Sequence, residues 1–296
     1  MSPNYSPFFI CGSTASGKSA IALELAERVG GEVVNADAYQ IYQGIEILSA
    51  CPSEAERARC PHHLYSSLGL ETSLNANLYR EMALPLISEI QARGKVPLVT
   101  GGSGMYLKFL THGPSPIPAS DPKVRESLEE RPLEDLLAEL TERDPEVLQT
   151  FPPENKRYVI RALEICLMTG QKASELKADW ETLPTPPPRG LLVSRSKEET
   201  LSSIERRADE MLSTGAIEEV ESLPADDMMP TARKAIGVQE IQKYLAGEWT
   251  LEECRERLVI STRQYAKRQR NWFRKETWLQ TLEVNKGSYD LSKIEI

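Results

Sequence analysis

The sequence predicts an α/β fold, a mostly parallel sheet with helices on both faces and a helical subdomain inserted into it. Three observations predict it. Short apolar runs alternate with segments of helical periodicity. Two of those runs end in glycine-rich turns. Two proline-rich stretches, "HGPSPIPASDP" and "LPTPPPR", then bracket a segment that is helical throughout.

Taken in order, Phe8–Cys11 reads as a short buried strand and Ser19–Val29 as the helix after it. "GEVVNAD" supplies a second strand, Glu32–Ala36, ending at Asp37. "GKVPLVTGGSGMYLKFL" supplies a third, Val96–Thr100, entering a second glycine turn at Gly101–Gly104 and then a helix. Proline clusters break helices and stiffen linkers. Between them, over residues 120–183, "LEDLLAELTERD" and "NKRYVIRALEICLMTG" carry helical patterns, and Gly190–Ser194 reads as a further strand. The division this gives is a core over residues 1–113, a helical insertion over 114–188 and a resumed core over 189–296. The alternative is that these helices pack on the sheet edge. No internal repeat is visible. In sheets of this kind ligands sit beyond the carboxyl ends of the strands. The first glycine loop, Asp37 and Ser103 all follow such ends and are expected to share one crevice.

"GSTASGKS", Gly12, Ser13, Thr14, Ala15, Ser16, Gly17, Lys18 and Ser19, is G-x-x-x-x-G-K-S between a strand and a helix. Its glycines let successive amide N–H groups face inward as an anion nest, and the helix N-terminus adds partial positive charge. Lys18 brings an ammonium to terminal phosphate oxygens, and the Ser19 hydroxyl is placed to hold Mg²⁺. The sheet is therefore expected to be P-loop NTPase-like, with a di- or triphosphate in the loop. The loop does not say what happens to the phosphate. A guanine switch needs N-K-x-D, and "NKRY" puts Tyr158 where the acid belongs. A motor ATPase needs an apolar strand ending in an acid, and "PLVTGG" ends without one. "VVNAD" does end in one, which makes Asp37 a candidate general base facing an acceptor. A magnesium ligand at one remove and a helix cap are the other readings of Asp37.

The formal charge of −9 sets the whole surface against nucleic acid, so any such contact needs a local basic patch. "TRQYAKRQRNWFRK" supplies one. Arg263, Lys267, Arg270 and Arg274 fall on one helical line, with Leu258, Thr262, Tyr265, Gln269 and Trp272 roughly opposite. No Asp or Glu intervenes between Arg263 and Lys275, which favours a polyanion contact over a solvated face. Arg125, Arg157 and Arg161 add positive charge in the insertion, as the other jaw of a clamp. The five cysteines are odd in number and lack C-x-x-C spacing, as expected of reduced thiols and a cytoplasmic setting. Cys51, Cys60, His62 and His63 fit no standard zinc spacing. With no signal-peptide pattern and no run near ~20 apolar residues, no membrane association is expected.

Seven stretches, in this order, resemble the tRNA dimethylallyltransferase family: "GSTASGKS", "NADAYQIYQG", "CPHHLY", "LVTGGSGMYLK", "RALEICLMTG", "KAIGVQEIQKYLAGE" and "TRQYAKRQRNWFRK". The resemblance covers nearly the whole chain and is to the shorter bacterial form. It implies transfer of a dimethylallyl group from dimethylallyl diphosphate to N6 of the adenine at position 37, beside the anticodon of tRNA. The pyrophosphate in the loop then leaves. It implies Asp37 and Ser103 as catalytic residues, Mg²⁺ as cofactor, and Arg207 as a further diphosphate contact. Asp37, Ala38, Tyr39, Gln40, Ser103, Arg125, Arg157, Tyr158, Arg161, Lys234, Gln239, Lys267, Arg268, Arg270 and Arg274 would meet the tRNA anticodon stem-loop. A monomer is expected.

The sequence departs from the family's usual residues at Ser103, where Thr is usual and the hydroxyl survives. It also departs at Ala38, Leu48–Cys51, Tyr158 and Val238, which bear on the acceptor side more than on the phosphate site. Three other readings stay open at this point: prenylation of free adenosine nucleotide, a P-loop small-molecule kinase, and a non-catalytic RNA-binding protein that retains the loop.

Overall fold

The computed structural model describes residues 6–224 and 227–296. Six strands form one all-parallel sheet: β1 (Phe8–Gly12), β2 (Glu32–Asn35), β3 (His62–His63), β4 (Pro97–Gly101), β5 (Arg189–Ser194) and β6 (Gln280–Glu283), in the order β3-β2-β4-β1-β5-β6. The α/β reading of the sequence holds. Strand ends differ from the expected bounds by a residue at one end or both: β1 reaches Gly12, β2 stops at Asn35, and β4 runs to Gly101. Likewise β5 begins at Arg189, and the helix after the phosphate loop starts at Lys18.

β1, β2 and β4 are buried along their whole length, as parallel strands covered on both faces must be. The alternation of side chains sorts them into two layers. Phe8, Ile10, Val33, Leu98 and Leu191 pack with Ile21 and Leu25 of helix Lys18–Val29 and with Leu291 and Ile294 near the C-terminus. Phe9, Cys11, Val34 and Val99 face the other way. They pack with Tyr79 and Ile87 of helix Ala76–Ala92, Leu107 of helix Gly104–His112, and Leu258 and Phe273 of helix Leu251–Phe273. Each such side chain contributes about 1.5–3 kcal/mol on burial. No helix among the described residues is long and apolar enough to cross a membrane.

The basic segment is helix Leu251–Phe273, which packs along helix Lys197–Ser213 and against β1. Its start is fixed by a reciprocal cap. Thr250 Oγ1 accepts the Glu253 N–H at 3.2 Å, and Glu253 accepts the Thr250 N–H at 2.7 Å.

The chain divides into two compact units, Thr111–Thr185 and the remainder. The smaller unit has its own core of Leu128, Leu136, Leu140, Val159, Leu163 and Cys166, built by helices Pro122–Glu129, Leu133–Arg143, Lys156–Thr169 and Ala173–Glu181. Two buried carboxylates order it. Asp144 accepts the N–H and hydroxyl of Ser174 at 2.8 and 2.7 Å. Glu164, 0% exposed, accepts the Ser120 hydroxyl at 2.5 Å, the Asp121 N–H at 2.7 Å and the Arg161 guanidinium at 2.6 Å.

Burial alone would raise the Glu164 pKa, but the hydrogen bonds from Ser120, Arg161 and Asp121 hold it below the usual glutamate range. A depressed folded-state pKa gives stability that is in force above the unfolded value and is lost as pH falls through the folded one. Glu164→Ala strands these donors and should destabilise the Thr111–Thr185 unit by about 3 kcal/mol at neutral pH. Chemical unfolding followed by the fluorescence of Trp180 should show a deficit that shrinks on acidification. A deficit equal at all pH values would remove Glu164 from this role.

Candidate active site

The site begins where β1 runs out. Gly12 ends the strand with no room for a side chain: a Cβ there would stand 2.6 Å from the Ser16 hydroxyl and 3.0 Å from the Val193 carbonyl. The loop closes on itself through Ser16 N–H to Ser13 O at 3.1 Å, and Ala15 and Gly17 take positive φ, 63° and 91°. This turns backbone amides inward. Helix Lys18–Val29 then starts at Gly17 with no side-chain cap and no acid in its first turn, so its first N–H groups and its dipole are open to an anion.

Asp37 follows β2 in a tight turn. Asn35 Oδ1 accepts the Asp37 N–H at 2.8 Å, and Asp37 Oδ1 accepts the Tyr39 N–H at 3.1 Å, with no hydrogen bond to Oδ2 among the described residues. The second glycine turn lies directly on this one. Ser103 N–H donates to Ala36 O at 3.2 Å, and the Ser103 hydroxyl accepts the Ala38 N–H at 2.9 Å. A side chain at Gly101 would collide with the Ala36 backbone, so the approach requires glycine. Tyr265 stands near the Ser103 hydroxyl, and its ring lies 6.0 Å from that of Tyr39.

One cavity of about 330 Å³ joins these parts. Lys18, Ser19, Asp37 and Arg207 give it a charged and polar end, and Leu48, Ile204, Met211, Ile236 and Leu258 give it apolar walls. Lys18 and Asp37 are each only 8% exposed. Burial lowers the Lys18 pKa from the ordinary lysine value; Asp37 pulls it back up and Arg207 pushes it down again. Burial likewise lowers that of Arg207, which Asp37 partly restores. Two cations share one carboxylate in a low-dielectric space. Such a site favours an incoming polyanion. The wall at Leu48 is pinned from two sides. Gln40 Nε2 donates to Ser49 O and Ala50 O at 3.2 and 2.8 Å, and the Glu219 carboxylate accepts the Ile47 and Leu48 N–H groups at 2.8 and 2.9 Å.

The family described as IPP transferase matches residues 40–276. The chain belongs to this family. It is 43% identical to the tRNA dimethylallyltransferase of Akkermansia muciniphila over 94% of this chain and 93% of that one. The full-length tRNA isopentenylpyrophosphate transferase from Bacillus halodurans superposes with a TM-score of 0.67 at 31% identity, covering 94% of this chain and 89% of that one. A eukaryotic dimethylallyltransferase acting on tRNA superposes with a TM-score of 0.78 at 27% identity, covering 95% and 74%. The resemblance read from the motifs is thereby confirmed, as is the P-loop NTPase-like fold it implied. The phosphate loop itself lies ahead of the matched family segment.

Within this member of the IPP transferase family, Thr14, Ala15, Gly17, Lys18, Ser19, Asp37, Tyr39, Gln40 and Arg207 line the cavity, whereas Gly12, Ser13, Ser16, Ala38 and Ser103 do not, the last two being joined by the Ala38 N–H to Ser103 Oγ bond. Gln40 is buried, with its amide donor engaged in the wall. Lys267, Arg268 and Arg274 are exposed and Arg270 half-buried, and none is in an ion pair among the described residues. Lys234 and Gln239 are exposed beside buried Val238. In the smaller unit Arg157 is exposed, and Tyr158, 53% exposed, stacks on Phe151 at 5.5 Å. Arg125 pairs with Glu129 at 2.9 Å, and Arg161 is held by Glu164 and the Pro118 carbonyl. Cys60 lies 3.8 Å from His62 and His63 pairs with Glu32; no group of three or more His, Cys, Asp or Glu poised for a metal occurs among the described residues.

Sequence reasoning did not single out the apolar walls, Tyr265, or the amide of Gln269. Gln269 accepts the Thr14 N–H at 2.7 Å and donates to Gly102 O at 3.0 Å. A glutamine on the buried stripe of an amphipathic helix was the available signal, since a buried amide needs partners.

A bound diphosphate must raise the lowered Lys18 pKa. The Lys18 contribution to pyrophosphate affinity is therefore full at low pH and is lost as pH rises through the lowered value of the free site. Calorimetric titration at increasing pH up to the ordinary lysine range should show this loss in the wild type beyond that in Lys18→Ala, where the pyrophosphate's own ionisation alone remains. Parallel profiles would mean that Lys18 does not carry the interaction.

Proposed function

We propose that this chain transfers a dimethylallyl group from dimethylallyl diphosphate to N6 of the adenine beside the anticodon of tRNA, releasing pyrophosphate. The observation that carries the reading is the single cavity that opens on the phosphate loop, on apolar walls and on Asp37 together. The N6 lone pair of adenine is delocalised into the ring and is a weak nucleophile. The donor must become strongly electrophilic, and the allylic C–O bond allows it because the five-carbon cation is resonance-stabilised. As that bond breaks, its electron pair goes to pyrophosphate. The open N–H groups at the start of helix Lys18–Val29, Lys18 and Arg207 meet the developing charge, and preorganised donors of this kind act more strongly in the transition state than in the ground state. Leu48, Met211 and Leu258 surround the five-carbon fragment and exclude water from it. The N6 lone pair closes on the allylic carbon, and the N6 proton passes to Asp37.

Ser103 supports this geometry. Its hydroxyl fixes the backbone of the Asp37 turn and stands beside Tyr265, where it assists in holding N6. The Ser19 hydroxyl lines the same end of the cavity and would hold Mg²⁺ there, an oxygen donor suited to that ion. When bound, the ion neutralises charge on the leaving group. The acceptor base must leave its stack to reach the cavity. Lys267, Arg268, Arg270 and Arg274 then bind the phosphates of the stem-loop, and the exposed Lys234, Gln239, Arg157 and Tyr158 are further contacts to it. The cytoplasm is the compartment that supplies this substrate.

Lys18→Ala and Asp37→Ala should each lower kcat about 10²-fold or more, with tRNA affinity kept. Mass spectrometry of the product should find the isopentenyl mass on that adenosine with the wild type only. Modification of AMP but not of tRNA, or release of ADP from ATP without prenyl donor, would refute the proposal. Arg270→Ala should weaken tRNA binding and reduce the slope of log affinity against log salt by about one unit at most. An unchanged slope would take Arg270 out of the interface.

A further inference from the structure

Gln269 lies on helix Leu251–Phe273 with 5% of its surface exposed, between the exposed cation Arg268 and the half-buried Arg270. Its two amide atoms face two different loops. Oε1 accepts the N–H of Thr14, in the middle of the phosphate loop, at 2.7 Å. Nε2 donates to the carbonyl of Gly102, the residue before Ser103, at 3.0 Å. A Cβ at Gly102 would collide with that Nε2, so the contact is made against bare backbone. One turn earlier on the same helix, Tyr265 stands near Ser103 and packs on Tyr39. A rigid helix thus holds the leaving-group loop with one atom and the acceptor turn with its neighbour, and presents cations to solvent from the adjoining positions.

Resting on the function proposed above, we propose that Gln269 is a positioning residue that fixes the separation between the diphosphate cradle and the Asp37–Ser103 acceptor turn. It touches no substrate and acts through Thr14 and Gly102. Only an amide, or a protonated acid, meets both partners, because one side must accept and the other donate. Without it, a buried N–H and a buried carbonyl are left unpaired and each loop relaxes separately. A shift of the order of an ångström in a reacting geometry is enough to slow the chemical step greatly.

The test begins with wild-type protein, tRNA and dimethylallyl diphosphate. Absence of transfer there counts against the reading of function and leaves pyrophosphate affinity as the probe of the cradle. Gln269→Ala should lower kcat and pyrophosphate affinity by about tenfold or more while tRNA affinity stays. Gln269→Glu gives a readout that a merely structural role would not move. Protonated, its hydroxyl donates to Gly102 and its carbonyl oxygen accepts from Thr14. Ionised, it turns a negative oxygen on the Gly102 carbonyl and sets negative charge behind the cradle. Its kcat and pyrophosphate affinity, each as a ratio to wild type, should fall about tenfold or more between about pH 6 and about pH 8.5, with an unchanged far-UV circular dichroism spectrum at both ends. The Gln269→Ala ratios should stay flat. A flat Gln269→Glu profile overturns the proposal. So does Gln269→Ala with wild-type kcat and pyrophosphate affinity and only a lower Tm. If Gln269→Ala does not fold, the near-isosteric Gln269→Glu profile decides alone.

Discussion

The site depends on how closely three strand ends approach one another. β1 ends at Gly12, its neighbour β4 ends at Gly101, and on the other side of β4 the turn after β2 carries Ala36 and Asp37. A side chain at Gly101 would strike the Ala36 backbone, and one at Gly12 would strike Ser16 and Val193. The missing Cβ atoms are what let an anion-binding loop and a carboxylate-bearing turn face one space. Parallel register supplies the rest. Ile10 stands opposite Thr100 and Asn35 opposite Thr100, so the three chains turn out of the sheet at one level. A substitution at Gly101 would push β4 and the Asp37 turn apart, and one at Gly12 would displace Ser16 within the loop.

The same closeness produces the electrostatics. Lys18 and Arg207 have been taken out of bulk water into a space with apolar walls, and Asp37 compensates only part of their charge. Keeping two cations there has a cost in the free protein, visible as their depressed pKa values. A diphosphate removes that cost on arrival, and charge that builds during bond breaking meets donors already in place. The apolar walls strengthen each of these interactions by excluding water. They also give the hydrocarbon part of a prenyl donor its surroundings. The charged and apolar halves of the cavity therefore depend on each other.

Much of this was legible in the sequence. Gly12–Ser19, Asp37 and Ser103 announce themselves because loops after strands are short and their chemistry is local. The wall residues are not legible, because Leu48, Met211 and Leu258 are ordinary core side chains until the fold gathers them. β3 has only two residues, and β6, "QTLE", is polar at an edge and shows no strand pattern. Arg161 reads as a surface cation, yet Glu164 is completely buried against it, and that pairing is a property of packing. Gln269 reads as one more residue on the buried side of a helix. Its significance comes from Thr14 and Gly102, which are 255 and 167 residues away in the chain.

The central claim is that one cavity holds both the departing diphosphate and the base that captures the prenyl group. A crystal structure with tRNA and the thiodiphosphate analogue of dimethylallyl diphosphate tests it most directly. The account requires the diphosphate in the Gly12–Ser19 loop, the five carbons against Met211 and Leu258, and the adenine N6 between the allylic carbon and Asp37. A diphosphate seated elsewhere, or an adenine whose N6 faces away from Asp37, would contradict it.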